Sequence, residues 1–145
     1  MCYEGDRFIG TPLLVLVVEK LKTQYNIIII FDTSTVRGKL STNSLALKRR
    51  FPQDVRIHVI AGGATADETI LDLASRNDKT YVLSNDSFSA YKEKEVIQHD
   101  RRIRYQLVEG NIFIRDLSIT VLQEEYVEKN LSPDDKLERL LADLL

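Results

Sequence analysis

The run "NIIIIFD", residues 26–32, constrains the fold more than any other stretch of the chain. Four isoleucines and a phenylalanine follow one another with no polar residue between them. A run this short with no polar face reads as a strand buried on both sides, which is the habit of parallel strands covered by helices. Helix and strand patterns alternate around it. "PLLVLVVEKLK" (12–22) reads as a helix, with Pro12 in the first turn and lysines near the negative pole of the dipole. "NSLALKRR" (43–50) is a short helix with a basic end, and "VRIHVI" (55–60) has a strand's pattern. "TADETILDLASR" (65–76) is the clearest helix: Thr65 and Glu68 form a capping box, and Ile70, Leu71, Leu73 and Ala74 supply the apolar stripe. "TYVLS" (80–84) is another short strand, and residues 88–99 read as helical. This order predicts an α/β fold with a mostly parallel sheet flanked by helices.

The last third reads differently. "RIRYQLV" (102–108), "EGN" and "IFIRDL" (112–117) have the pattern of a C-terminal hairpin. Residues 118–130 carry two patterns, since "SITVLQ" alternates like a strand and "LQEEYVEKN" suits a helix. A terminal amphipathic helix over 132–145 is well marked, with Ser132 as N-cap, Pro133 at the first helical position, and Asp134 and Asp135 at the positive pole. Its stripe of Leu137, Leu140, Leu141 and Leu144 could dock on its own domain or join two copies as a homodimer. The chain is thus divided into one domain over 1–131 and this helix.

Composition narrows the function. A net charge of -2 excludes a uniformly basic nucleic-acid binder but leaves room for a local basic patch. The single cysteine, Cys2, allows no internal disulfide, which fits a reducing, cytoplasmic setting. The apolar runs at 12–18 and 27–31 fall well short of the roughly 20 residues that span a bilayer, so no membrane is expected. Gly62-Gly63 lacks the residues of a phosphate-binding loop.

Acidic residues collect where a parallel sheet keeps its chemistry, outside the carboxyl ends of the strands. Asp32 ends the isoleucine strand, Asp67 and Glu68 open the helix after "VRIHVI", and Asn85-Asp86 follow "YVL". Several carboxylates in one neighbourhood repel one another, and a hard cation between them relieves the repulsion. Mg²⁺ or Mn²⁺ is the natural candidate, and such an ion can assist phosphodiester hydrolysis. Each residue also has a plainer role: Glu68 can close a capping box, Asp32 can accept N–H groups of the next loop, and Asn85-Asp86 can form a turn. Two basic clusters, Arg49-Arg50 and Arg101-Arg102-Arg104, with Lys92 and Lys94, could flank the acids and hold a polyanion.

"TADETILDLA" followed by "YVLSNDSF", with "IIIIFDTS" before them and "RRIRYQLVEGNIFIRDL" after, resembles the NYN-type branch of the PIN-like ribonucleases, close to the Regnase-type endoribonucleases and their bacterial relatives. The likeness covers roughly residues 10–117. It implies a PIN-like parallel α/β sheet, Mg²⁺ or Mn²⁺ dependence and endonucleolytic cleavage of RNA. By position it implies that Asp67 and Asp86 are metal ligands, with Glu68 and Asn85 as their catalytic neighbours. The RNA backbone would be gripped by Arg49, Arg50, Lys92, Arg101 and Arg102. Two departures define the alternative. The family has a further aspartate on a central first strand that "MCYEGDRFIG" does not match, and Ala90 stands where the family often has an acid. Lacking that strand, the sheet is expected to have two unpaired flanks. The alternative is a catalytically degenerate domain that binds RNA or a protein partner.

Overall fold

A computed structural model describes residues 2–4, 7–8, 10–61, 65–91, 94–125 and 133–144. A small antiparallel hairpin, β1 (Tyr3–Glu4) with β2 (Arg7–Phe8), precedes helix α1 (Pro12–Leu21). Next come β3 (Ile28–Asp32), a π-helical turn over Thr35–Lys39, helix α2 (Ser44–Lys48) and β4 (Arg56–Ile60). β3 and β4 pair in parallel, with Ile28 opposite Arg56 and Asp32 opposite Ile60. Helix α3 (Ala66–Ser75) begins where the capping box placed it, the Thr65 hydroxyl accepting from the Glu68 N–H at 3.3 Å. β5 (Val82–Leu83), a 3₁₀ turn over Ser89–Tyr91, helix α4 (Glu95–Gln98) and β6 (Arg102–Ile103) follow, and β5 pairs with β6 in parallel. β7 (Gln106–Val108), β8 (Asn111–Ile114) and β9 (Ile119–Val121) form an antiparallel meander, and α5 (Pro133–Asp143) is the last element.

The fold is mixed α/β, as the alternation of patterns predicts, but the single parallel sheet is replaced by smaller pieces. Among the described residues the parallel strands form two separate pairs, β3–β4 and β5–β6, with no ladder between them. α3 packs against both β3 and β5, so one helix spans the two pieces. The C-terminal hairpin also starts later than its sequence suggests. Arg102 and Ile103 go to β5, and β7 turns into β8 through Glu109 (φ +50°) and Gly110 (φ +80°). Two successive positive φ angles are the signature of a type I′ hairpin turn, for which glycine at the second position is well suited. "SITVLQ" resolves as β9, because Val121 reaches full burial opposite Ile112. Residues 88–99 hold two short turns of helix rather than one helix.

Three apolar clusters hold these elements. The first packs β3, β4 and α2 through Phe31, Ile57, Leu47 and Phe51, and takes Val18 from α1. The second lays Leu13, Leu16, Val17 and Leu21 of α1 on Ile112, Ile114 and Val121 of the meander. The third joins α3, β5 and α4 through Leu71, Ala74, Val82 and Val96, with Phe88 between them. α1 is therefore covered on two sides, which explains why its sequence is so continuously apolar. Leu137, Leu140, Leu141 and Leu144 of α5 are all exposed, and the expected cap at Ser132 lies outside the described residues. No helix among the described residues is long and apolar enough to cross a membrane.

Leu71 is fully buried at the centre of the third cluster. Leu71→Ala is expected to lower stability by about 2–5 kcal/mol through lost burial and a residual cavity, read as a lower urea midpoint.

Candidate carboxylate site

β3 ends on Asp32, α3 opens on Ala66-Asp67, and β5 runs into Ser84-Asn85-Asp86. The carboxyl of Asp67 is pushed above its ordinary value, first by partial burial and then by the negative charges of Asp86 and Asp32. Asp67 thus lies within electrostatic reach of both Asp32 and Asp86, three of the four acids expected to converge at the strand ends. No described N–H donates to the Asp32 carboxylate, so the capping role open to it in the sequence is not filled. Glu68 stands apart, exposed to solvent with its N–H capped by Thr65. Among the described residues no three His, Cys, Asp or Glu side chains stand close enough to share one metal ion. Mg²⁺ commonly takes only one or two protein carboxylates and completes its shell with water and substrate phosphate, and the Asp67–Asp86 pair suits that donor set.

The stretch after β5 is fixed by side chains. The Asn85 Oδ1 accepts from the Tyr105 N–H at 3.0 Å, tying the loop to the chain beyond β6. The Asp86 Oδ1 accepts from the Phe88 N–H at 2.8 Å, and the Ser84 hydroxyl accepts from the Asp86 N–H at 3.1 Å. The Arg102 Nη1 donates to the Asp86 carbonyl at 2.8 Å. Phe88 adopts a left-handed backbone (φ +50°) and drops its ring into the third cluster. The turn reading of Asn85-Asp86 therefore holds in the loop geometry, and the Phe88 N–H fixes one oxygen of the Asp86 carboxylate.

The basic residues expected to line the site part company. Arg101 is 6% exposed, and its Nη1 donates to the carbonyls of Ala74, Asn77 and Thr80 at 3.0, 2.7 and 2.8 Å. It caps the C-terminal end of α3, where a cation also complements the helix dipole. This corrects its expected place on an RNA backbone. Arg102 is committed to the Asp86 carbonyl. The Arg50 Nη1 donates to the Thr11 hydroxyl at 3.2 Å, bracing the start of α1. Lys94 pairs with Asp72 at 3.2 Å. Lys92 lies outside the described residues. Arg49 is exposed and lines a groove beside Lys48, Arg56 and His58. Those three neighbours were not among the residues expected to hold RNA, although Arg56 and His58 alternate with Ile57 and Val59 along one strand.

Two outcomes are expected. Arg101→Ala leaves one buried and two part-buried carbonyls without this donor, so it should cost at least about 2 kcal/mol in urea unfolding. Asp67→Asn should raise stability at neutral pH. Folding lifts the Asp67 pKa above 3.8, so between that value and the raised one the folded state binds more protons than the unfolded chain, and stability falls as pH rises. Urea midpoints measured between about pH 4 and pH 7 should decline less steeply for the variant than for the parent. No family model, curated protein or solved structure matches this chain.

Proposed function

We propose that this chain is a metal-dependent endoribonuclease domain of the NYN/PIN-like type, hydrolysing RNA phosphodiester bonds. The observation that carries the reading is the placement of Asp32 at the end of β3, Asp67 in the first turn of α3 and Asp86 in the loop after β5, with Asp67 feeling the negative charge of both others. Asp67 and Asp86 are the residues that would hold Mg²⁺ or Mn²⁺. When bound, that ion would supply positive charge to the scissile phosphate and lower the pKa of an attacking water. Asp67 is the acid most in need of a cation, because burial and two like charges already disfavour its ionised form. Asn85 keeps its Nδ2 amide without a protein partner among the described residues, so it can donate to a phosphate oxygen while Oδ1 holds the loop. The exposed Glu68 is close in sequence to Asp67 and can position a water. The single, buried Cys2 suits a cytoplasmic setting, and the exposed leucines of α5 suit a homodimer.

A second reading, a degenerate domain that binds RNA or a protein without cutting, is favoured by one observation. Among the described residues the acids do not form a three-ligand cluster, and one oxygen each of Asn85 and Asp86 is already engaged by backbone N–H groups. The two readings separate in one experiment. Mn²⁺-dependent cleavage of a labelled RNA should be lost by at least about a hundredfold in Asp86→Asn and in Asp67→Asn, the upper end of what even an outer-shell partner costs a metal site. Calorimetry should show Mn²⁺ binding to the parent and not to these variants. Unchanged cleavage in Asp86→Asn would sink the first reading, and Mn²⁺ binding absent from the parent would leave the second.

A further inference from the structure

The open edge of β4 carries a basic groove that the carboxylate site does not use. It encloses about 530 Å³ between α2, the Phe51–Val55 segment and β4. Lys48, Arg49 and Arg56 rim it, His58 stands at its end, and no acidic residue lines it among the described residues. None of the three cations has an ion-pair partner among the described residues, and all three are exposed. The floor is apolar, with Leu45 64% exposed and Pro52 half-buried. Cations without counter-charges around an apolar floor complement a strand that has phosphates on one side and bases on the other.

Register ties this groove to the acids. Residues that face each other across a parallel pair project to the same side of the sheet, and side chains alternate along each strand. Ile28, Ile30 and Asp32 therefore share one face with Arg56, His58 and Ile60. The groove begins at Arg56, and Asp32 sits opposite Ile60 four residues on, a distance of about 13 Å along the strand. The Arg56 N–H is turned inward to the Ile27 carbonyl at 3.2 Å, so the alternation of the ladder turns the N–H groups of Ile57 and Val59 toward the open edge.

We infer that the Lys48–Arg49–Arg56–His58 groove binds single-stranded RNA and leads it along the open edge of β4 to the carboxylates. This rests on the ribonuclease reading and adds to it the route of the substrate. Lys48, Arg49 and Arg56 hold successive phosphates, Leu45 and Pro52 seat a base, and the exposed ring of His58 stacks on the next.

The test is fluorescence anisotropy with a labelled single-stranded oligouridine, in EDTA so that cleavage is absent, across a salt series. Arg49→Glu/Arg56→Glu should weaken binding at least tenfold, and Arg49→Gln/Arg56→Gln should flatten the slope of log K against log salt by about 1.4, two phosphate contacts at about 0.7 each. Lys79→Glu, at an exposed lysine outside the groove, should bind like the parent. Both double variants should keep the parent's urea midpoint. Equal affinity and slope in parent and variants, with the parent still binding RNA, overturns the groove and leaves the ribonuclease reading standing. A parent that binds no RNA overturns both. Variants that self-associate with RNA affinity intact show that the charges guard a sheet edge, and also overturn the groove.

Discussion

Everything in this fold hangs on α1 being buried from two sides. Val18 enters the cluster under β3 and β4, while Leu13, Leu16, Val17 and Leu21 lie on the meander. One helix thus joins a parallel piece to an antiparallel piece that share no strand ladder among the described residues. A helix with a single apolar stripe could serve only one of these surfaces. The run "PLLVLVV" supplies apolar side chains around most of the circumference, and the Arg50 contact to Thr11 holds its first turn.

The carboxylate end is built on the other spanning helix. α3 touches both β3 and β5, and its first turn brings Asp67 into the field of Asp32 and Asp86. Arg101 fixes the far end of α3 from the start of β6, through three carbonyls. Arg102, the next residue, fixes the loop of Asp86. Two adjacent arginines therefore set both the helix and the loop that carry the candidate ligands. Their described hydrogen bonds go to backbone carbonyls and not to the carboxylates.

Much of this was legible in the sequence. The N-cap at Thr65, the helix beginning at Pro12 and the strand at Ile28–Asp32 all follow from local chemistry, namely a hydroxyl, an imino acid and an apolar run. The direction of parallel strands predicts Asp32, Asp67, Glu68 and Asp86 together, and of these Asp67 feels the charges of Asp32 and Asp86 while Glu68 is exposed. The roles of the arginines were not legible. Arg101 and Arg102 read as a basic patch because composition records charge and not burial, and only the return of the chain past α3 shows that Arg101 meets carbonyls instead of solvent. The hairpin boundary was misplaced for a similar reason. Arg102 and Ile103 have the same local pattern as β7, and their pairing with β5 is a tertiary choice that no local propensity encodes.

Asn85 and Asp86 show how a turn and a site can be one structure. A carboxylate has two oxygens and an amide has an acceptor and a donor, so each can spend one atom on the backbone and keep another. The Asp86 Oδ1 and the Asn85 Oδ1 are spent on Phe88 and Tyr105. The atoms that remain are Oδ2 of Asp86 and Nδ2 of Asn85, an anionic acceptor and a donor on consecutive residues. Such a pair matches a cation and the phosphate it binds. A loop held this way needs no ligand to order it, so binding would cost little conformational entropy. The bonds that make Asn85-Asp86 a turn are the same bonds that would make it a preorganised half of a metal–phosphate site.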